Sequence, residues 1–398
     1  MDAHENVHLL LYEGGNMFGF TEKELLDKGA YLTVSEIYKQ PETWKQTMKI
    51  IQQNLSQFVS LFTNKKRRII ITGAGSSDYV GQTVARLVHE YIEYEVDAIP
   101  TTDLLTDPFS YLRENESLVL ISVARSGNSP ESKGVIDLLT QLIDVKHVII
   151  TCNSKGEIIK NALNDRESLC VVLDEETNDR SLAMTSSFSN LLLCTYGLCI
   201  GLSHHQKFDL DTTFANKWLN NDFSKINFDQ QFNIYERIIY LGSHEYRAIA
   251  QECALKLLEL TAGSIVSYHE SFLGFRHGPK AVINQNSILV MLMNNDYHVC
   301  KYENDLLKEI INEDEFGKLI ILGDTIVDIT NNHRIIKLEL DGFNSRIQQT
   351  LNYVLVGQTL ATLASINLGF NTDSPFKNKR INRVVEGVNV YPWSVSNE

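Results

Sequence analysis

The chain has 398 residues, a length that fits about two to three domains. Its 36 Lys and Arg against 50 Asp and Glu give a net charge of −14. That balance argues against a general nucleic-acid binder and leaves room for a local basic pocket. With 43% hydrophobic and 22% charged residues, 22 Gly and 7 Pro, the composition is that of a folded chain rather than a disordered one.

The N-terminus, MDAHENVHLL, lacks the basic-then-apolar pattern of a signal peptide, so a cytoplasmic location is expected. Residues 1–49 read as an N-terminal helical segment, with helical pieces at Thr33–Lys39 and Pro41–Gln53. Six runs then follow that are apolar throughout. Arg67–Thr72 (RRIIIT), Ser117–Ser122 (SLVLIS) and His147–Thr151 (HVIIT) are echoed by Arg237–Leu241 (RIIYL), Ser287–Leu292 (SILVML) and Lys318–Leu322 (KLIIL), each displaced by about 170 residues. Continuous rather than alternating apolar runs are how strands buried on both faces of a parallel sheet read. Helical patterns at Tyr79–Ile92, Ser129–Ile143 and Ala248–Leu260 alternate with them, which implies βαβ units. The reading is α/β: two doubly wound parallel-sheet halves, 50–215 and 220–370, with a polar linker near 203–230 and an irregular tail at 371–398. The longest apolar stretch, Leu191–Leu202, is shorter than the roughly 20 residues that span a bilayer, so no membrane partner is expected. The cysteines, Cys152, Cys170, Cys194, Cys199, Cys253 and Cys300, form no CxxC pair and read as reduced, buried thiols.

Loops rich in Gly and hydroxyl residues close the first-half strands. Gly73-Ala74-Gly75-Ser76-Ser77 follows the first, Ala124-Arg125-Ser126-Gly127-Asn128-Ser129 the second and Thr151-Cys152-Asn153-Ser154 the third. Thr185-Ser186-Ser187 opens the apolar stretch from Phe188. In an open parallel sheet such loops gather at one edge, where ligands bind. Small residues let backbone approach an anion, and hydroxyl and helix N-terminal N–H groups donate to it. Hydroxyl residues also simply cap helices, but successive loops in one half favour a phosphate cradle. No GK[ST] follows the glycines and GAGSSDYVG lacks the third Gly of GxGxxG, so a nucleotide site is disfavoured.

The second half differs. QECALKLLE places Glu252, Lys256 and Glu259 on one helix face. An otherwise apolar helix carrying that stripe is not a simple solvated surface. Tyr268–Lys280 (YHESFLGFRHGPK) reads as a loop carrying His269, Glu270, Arg276, His277 and Lys280, a plausible acid/base site.

These motifs resemble the double sugar isomerase (SIS) family, and their order is similar to the isomerase domain of glucosamine-6-phosphate synthase. SEIYKQPETW, SVARSGNSPES, EETNDRSLAMTSSFSN, ALKLLELTAG, SFLGFRHGPK and NRVVEGVNVYP resemble the tagatose-6-phosphate ketose/aldose isomerases, a group also described as galactosamine-6-phosphate deaminases. The resemblance covers nearly the whole chain. It implies two SIS-type, flavodoxin-like subdomains and a cofactor-free, metal-free acid/base enzyme acting on a sugar phosphate. Ser76, Ser77, Ser126 and Ser129 would hold the phosphate beside Arg125, with Gly75 and Gly127 permitting close approach. Thr185, Ser186 and Ser187 would line the sugar end. Glu259 would be the base, with Lys256 beside it and Glu252 one turn earlier. His277 would open the sugar ring from a neighbouring subunit, so a homodimer or higher homo-oligomer with a shared site is implied. The adjacent His204 and His205 would not share a face and are weak metal candidates.

Two departures from the synthase shape the expected direction. Asp2 follows Met1 where the synthase has Cys, and Glu386 aligns with its tail lysine. Both favour breakdown: ring opening, proton shift and ammonia release. Simple ketose/aldose isomerisation and a non-catalytic sugar-phosphate sensor are the alternatives. Retention of Glu259, Lys256 and His277 argues against the sensor, which needs a cradle but no base.

Overall fold

The computed structural model describes residues 16–63, 67–162, 168–203, 208–226, 232–327, 332–339, 345–376, 381–385 and 387–393. His204, His205 and Glu386 lie outside the described residues.

The first-half apolar runs form strands because both of their faces are covered. β1 (Arg68–Thr72), β2 (Val96–Ala98), β3 (Ser117–Ala124), β4 (Asp144–Thr151) and β5 (Leu169–Val172) make one sheet in the order β2-β1-β3-β4-β5. Every pairing is parallel, with Ile71 opposite Ile121 and Ile121 opposite Val148. The second half repeats the design. β6 (Arg237–Gly242), β7 (Val266–Glu270), β8 (Ser287–Leu292), β9 (Lys318–Leu322) and β10 (Ile335–Leu338) pair in parallel in the order β10-β9-β8-β6-β7. Read from the first strand of each half, the two orders match, and both are the flavodoxin-like arrangement. The order in which successive strands are laid down switches side between β1 and β3, and again between β6 and β8. Those are the two places where this topology leaves a crevice at the strand ends.

The helices are α1 (Glu22–Lys28), α2 (Tyr31–Ser60), α3 (Ser76–Val88), α4 (Thr101–Thr106), α5 (Pro130–Leu142), α6 (Glu157–Ala162), α7 (Ser186–Ile200), α8 (Thr213–Asn220), α9 (Glu245–Leu260), α10 (Phe272–Phe275), α11 (Tyr297–Glu313) and α12 (Arg346–Asn367). α3 packs against both α7 and α9, so it joins the two halves. α12 lies against α9, α2, α7 and α8 and is buried on all sides. Among the described residues no helix is long and apolar enough to cross a membrane. All six cysteines are free, four of them buried and Cys170 and Cys300 half-buried.

Three expectations change. α2 runs unbroken through Pro41 instead of forming two pieces, and it continues to Ser60. Burial overrides the proline: Trp44 is fully buried and donates to Ser189 Oγ at 2.8 Å, and Thr47 donates to Asn190 at 2.7 Å, both on α7. The expected linker at 203–230 contains α8, because Trp218 is buried and donates to Thr359 on α12 at 3.0 Å. The expected loop at Tyr268–Lys280 holds the end of β7, including His269 and Glu270, and then α10.

Trp44 both fills the core and spans α2 and α7. Trp44→Ala is expected to lower stability by about 3–5 kcal/mol in denaturant unfolding, the range for emptying a buried aromatic site. A loss below about 1 kcal/mol would mean that α2 is not anchored through this residue.

Candidate active site

The cradle loops sit at the carboxyl ends of β1 and β3, on either side of the first crevice. Gly73 must be glycine, since a Cβ there would meet the Ser77 backbone at 2.6 Å. Gly75 holds φ 58° and ψ −128°, with open space where a side chain would stand. The turn delivers Ser76 and Ser77 to the first turn of α3, both 5% exposed. At the end of β3, Gly127 has φ 63° and packs on Ile158. The third loop supports this one: Asn153 donates to the Ser126 carbonyl at 2.7 Å, and Thr151 to the Arg125 carbonyl at 3.2 Å. Ser126 Oγ accepts the Asn128 N–H at 3.3 Å. Ser129 caps α5 through the Ser132 N–H at 3.4 Å.

Arg125 is buried, and among the described residues it forms no ion pair with a carboxylate. Its guanidinium donates to the carbonyls of Leu182 at 2.9 Å and Arg383 at 2.6 Å. Burial lowers its pKa, opposed by Asp179 and, across the seam, Glu259. A buried guanidinium whose direct hydrogen bonds go to carbonyls keeps positive charge beside Ser126 and Gly127, which favours an anion there.

The α9 stripe meets this cradle directly. Lys256, 1% exposed, donates to Ser76 Oγ at 3.1 Å and to Glu259 at 2.5 Å, and it lies 3.5 Å from Glu252. Burial pulls the Lys256 pKa down, but the two carboxylates outweigh it and raise it, so the ammonium persists. Glu252 is 1% exposed, and neither of its oxygens has a hydrogen bond of good geometry. Burial pushes it up to about 7, against the pull of Lys256 and with help from Glu259. Glu259 is the accessible member, with 22% of its side chain exposed. The triad therefore consists of a fixed cation, a buried carboxyl and one carboxylate open to a ligand.

Other candidates stand apart from this cluster. Thr185, Ser186 and Ser187 are fully buried at the start of α7, and Asp179 takes up the backbone N–H groups of all three. Asp179 also accepts from the Thr185 and Ser187 hydroxyls. Ser186 Oγ accepts from Asn190 at 3.2 Å. His277 is exposed at the end of the α10 turn, and its side chain has no partner among the described residues. Arg276 and Lys280 are tied to Glu309 on α11, and Glu270 to Arg247 at 3.1 Å. Among the described residues no three His, Cys, Asp or Glu side chains are grouped to hold a metal.

Sequence reasoning missed what holds the 178–187 segment. Glu36 of α2 accepts from the N–H groups of Arg180 and Ser181 and from the Ser181 hydroxyl at 2.5 Å. Arg383 of the tail donates to the Asp179 carbonyl at 2.7 Å and to Asn178 at 2.5 Å. These partners lie more than 140 residues away in sequence, so no local pattern marks them. The buried acid in NDRS, just before a hydroxyl-rich helix start, was the available signal.

Two flavodoxin-like halves with a Ser/Gly cradle at one switch point and a Lys–Glu pair beside it define the SIS class of sugar-phosphate proteins. The SIS domain model matches residues 61–200. A D-galactosamine-6-phosphate deaminase AgaS of Shewanella sp. (strain ANA-3) is 34% identical over 98% of this chain and 97% of its own length. A solved structure from Clostridium novyi NT, assigned as a tagatose-6-phosphate ketose/aldose isomerase, superposes with a TM-score of 0.85 at 33% identity, covering 95% of this chain and 99% of that one. The tagatose-6-phosphate ketose/aldose isomerase of Escherichia coli gives 0.78 at 29% identity, covering 91% and 96%. The chain belongs to this double-SIS family of AgaS-type deaminases and tagatose-6-phosphate ketose/aldose isomerases.

Glu36 supplies a pH test of the buried network. Burial, then the nearby Asp179, pushes it up to about 8, against hydrogen bonds from Ser181 and Arg180. The unfolded carboxyl, near 4.5, loses its proton first as pH rises. This contribution to stability is therefore full below 4.5 and drains toward pH 8, with a slope of at most about 1.4 kcal/mol per pH unit. Denaturant midpoints of the wild type are expected to fall more steeply between pH 5 and 8 than those of Glu36→Gln. Parallel slopes would contradict the assignment.

Proposed function

We propose that this chain is an amino-sugar-phosphate deaminase/isomerase that converts galactosamine 6-phosphate to tagatose 6-phosphate and ammonia without a cofactor. The carrying observation is Lys256 Nζ, which ties Ser76 of the cradle to Glu259 of α9 and so sets an anion site beside an accessible base. The full-length similarity to AgaS deaminases supports the substrate.

The phosphate sits against Ser76, Ser77, Ser126 and Ser129 near Arg125, and the sugar extends toward Glu259. Phosphate binding supplies remote positioning energy for chemistry at carbons 1 and 2. His277 hands a proton to the ring oxygen as the C1–O5 bond breaks, and the C1 hydroxyl gives its proton to water and becomes the aldehyde. Glu259 takes the proton from carbon 2, which the carbon-1 aldehyde makes acidic, and an enolamine forms. Reprotonation at carbon 1 gives the carbon-2 imine. Water adds to that imine, the C–N bond breaks, and ammonium and the ketose phosphate leave. The Lys256 ammonium holds Glu259 in place and stabilises negative charge that develops beside it. Glu252, near neutrality in pKa, can exchange a proton with this pair.

A hydrolytic, cytoplasmic, homodimeric enzyme is part of the same reading. His277 is exposed and makes no side-chain contact with the Lys256–Glu259 pair, which supports its service to a neighbouring subunit's site. The similarity to a tagatose-6-phosphate ketose/aldose isomerase favours one second reading, the same proton shift on a substrate with hydroxyl at carbon 2.

Glu259→Gln is expected to cut turnover by about 10²–10⁴-fold, the usual range for losing a general base, while sugar-phosphate binding survives. Near-normal turnover would remove Glu259 from that role. Mixing Glu259→Gln with inactive His277→Ala restores activity if the site is shared. Random exchange makes half the dimers mixed, each with one intact site, so about a quarter of wild-type activity returns. No recovery after verified exchange places the whole site in one chain.

A further inference from the structure

The second half repeats the first at its own switch point, and it does so with altered chemistry. The turn Gly242-Ser243-His244 at the end of β6 corresponds to Gly73-Ala74-Gly75 just after β1. A Cβ on Gly242 would strike the Tyr246 backbone, as one on Gly73 would strike Ser77. Gly75 has φ 58° and ψ −128°; His244 has φ 52° and ψ −119°. The two turns share one backbone shape, but the second places a histidine where glycine is the residue of least strain. The next residue differs too. Ser76 opens α3, whereas Glu245 opens α9, fully buried and paired with Arg346 at 2.7 Å. That carboxylate rules out the cradle's own mode of anion binding at the α9 terminus.

The crevice itself remains. A cavity of about 1400 Å³ opens beside this turn and shares no residue with the Ser76–Lys256–Glu259 cluster. Ser243 and His244 reach it from the end of β6, His269 and Ser271 from β7, and His298 from the start of α11 beyond β8. Arg86 and His89, at the end of α3, line it as well, as does Arg247 of α9, which pairs with Glu270 at 3.1 Å. Four of the chain's 11 histidines thus gather on one wall system with two arginines. Of the carboxylates in the lining, Asp97 pairs with Arg68 at 2.7 Å and Glu95 with Arg113 and Arg68, and Glu93 has no ion pair among the described residues. Arg86, His89 and His244 have no side-chain partner among the described residues. The space exceeds the roughly 300–1000 Å³ of ordinary small-molecule pockets, so a sugar-sized ligand fits.

We propose that this cavity is a second ligand site, for a phosphorylated small molecule, held by Arg86, His244 and His298 rather than by a serine loop. A strained histidine, an arginine without an internal partner and a switch-point crevice coincide here. The ligand is bound at this site without being turned over, since the cavity presents no counterpart of the Lys256–Glu259 pair.

The test uses full-length Ser77→Ala/Ser126→Ala protein, which disables the proposed cradle. Imidazole signals are followed by NMR during titration with inorganic phosphate and, separately, fructose 6-phosphate. Saturable shifts of the His244 and His298 signals are expected, assigned by His244→Gly and His298→Gln. His244→Gly keeps the fold, because glycine suits the turn. Arg86→Ala is expected to weaken binding by about tenfold or more, the scale of a charge-assisted hydrogen bond. Tighter binding of the sugar ester identifies a sugar-phosphate site; equal binding identifies a site for the phosphoryl group alone. Unmoved histidine signals at concentrations that saturate wild-type protein would overturn the proposal.

Discussion

One buried ammonium organises the molecule. Lys256 is 1% exposed, and an isolated charge at that depth would be costly. Its partners offset the penalty from two directions: Glu252 and Glu259 on its own helix, and Ser76 at the head of α3 in the other half. The pairing therefore fixes α9 against α3 as well as fixing a charge. Remove the ammonium and two carboxyls remain close together without a cation, one of them fully buried. The two sheets are set by apolar strands, but the register of one half on the other is read out at this contact.

The two halves then divide the labour that a single sheet edge cannot perform alone. The first keeps glycine at both tight turns, so backbone and hydroxyls face the crevice. Arg125 adds a cation whose guanidinium donates to the Leu182 and Arg383 carbonyls. The second half contributes α9, whose Glu252–Lys256–Glu259 stripe meets Ser76 of that crevice. Behind this, Glu36 and Arg383 hold the 178–187 segment from two remote parts of the chain, and Asp179 ties it together from within. On the proposed reading, binding surface and base come from different halves, and α2 and the tail brace the 178–187 segment.

Much of this was legible because parallel strands advertise themselves. β1, β3, β4, β6, β8 and β9 are buried on both faces and leave continuous apolar runs, so their positions and the duplication could be read directly. β2, β7 and β10 are short and partly exposed, and leave no such run. α12 is buried all round and so has no amphipathic period to find. Spacing on α9 announced the Lys–Glu stripe, whereas its bond to Ser76 spans 180 residues and belongs to the tertiary fold. The Thr185–Ser187 cluster drew attention as a ligand lining, and Asp179 is the partner that three-dimensional packing supplies.

The most direct measurement is ammonium release from galactosamine 6-phosphate, run beside glucosamine 6-phosphate, N-acetylgalactosamine 6-phosphate and conversion of tagatose 6-phosphate. The account predicts ammonium and tagatose 6-phosphate in equal amounts from galactosamine 6-phosphate, with little from the other amino sugars. Consumption of tagatose 6-phosphate with no ammonium from any amino sugar would contradict it and make this protein an isomerase alone.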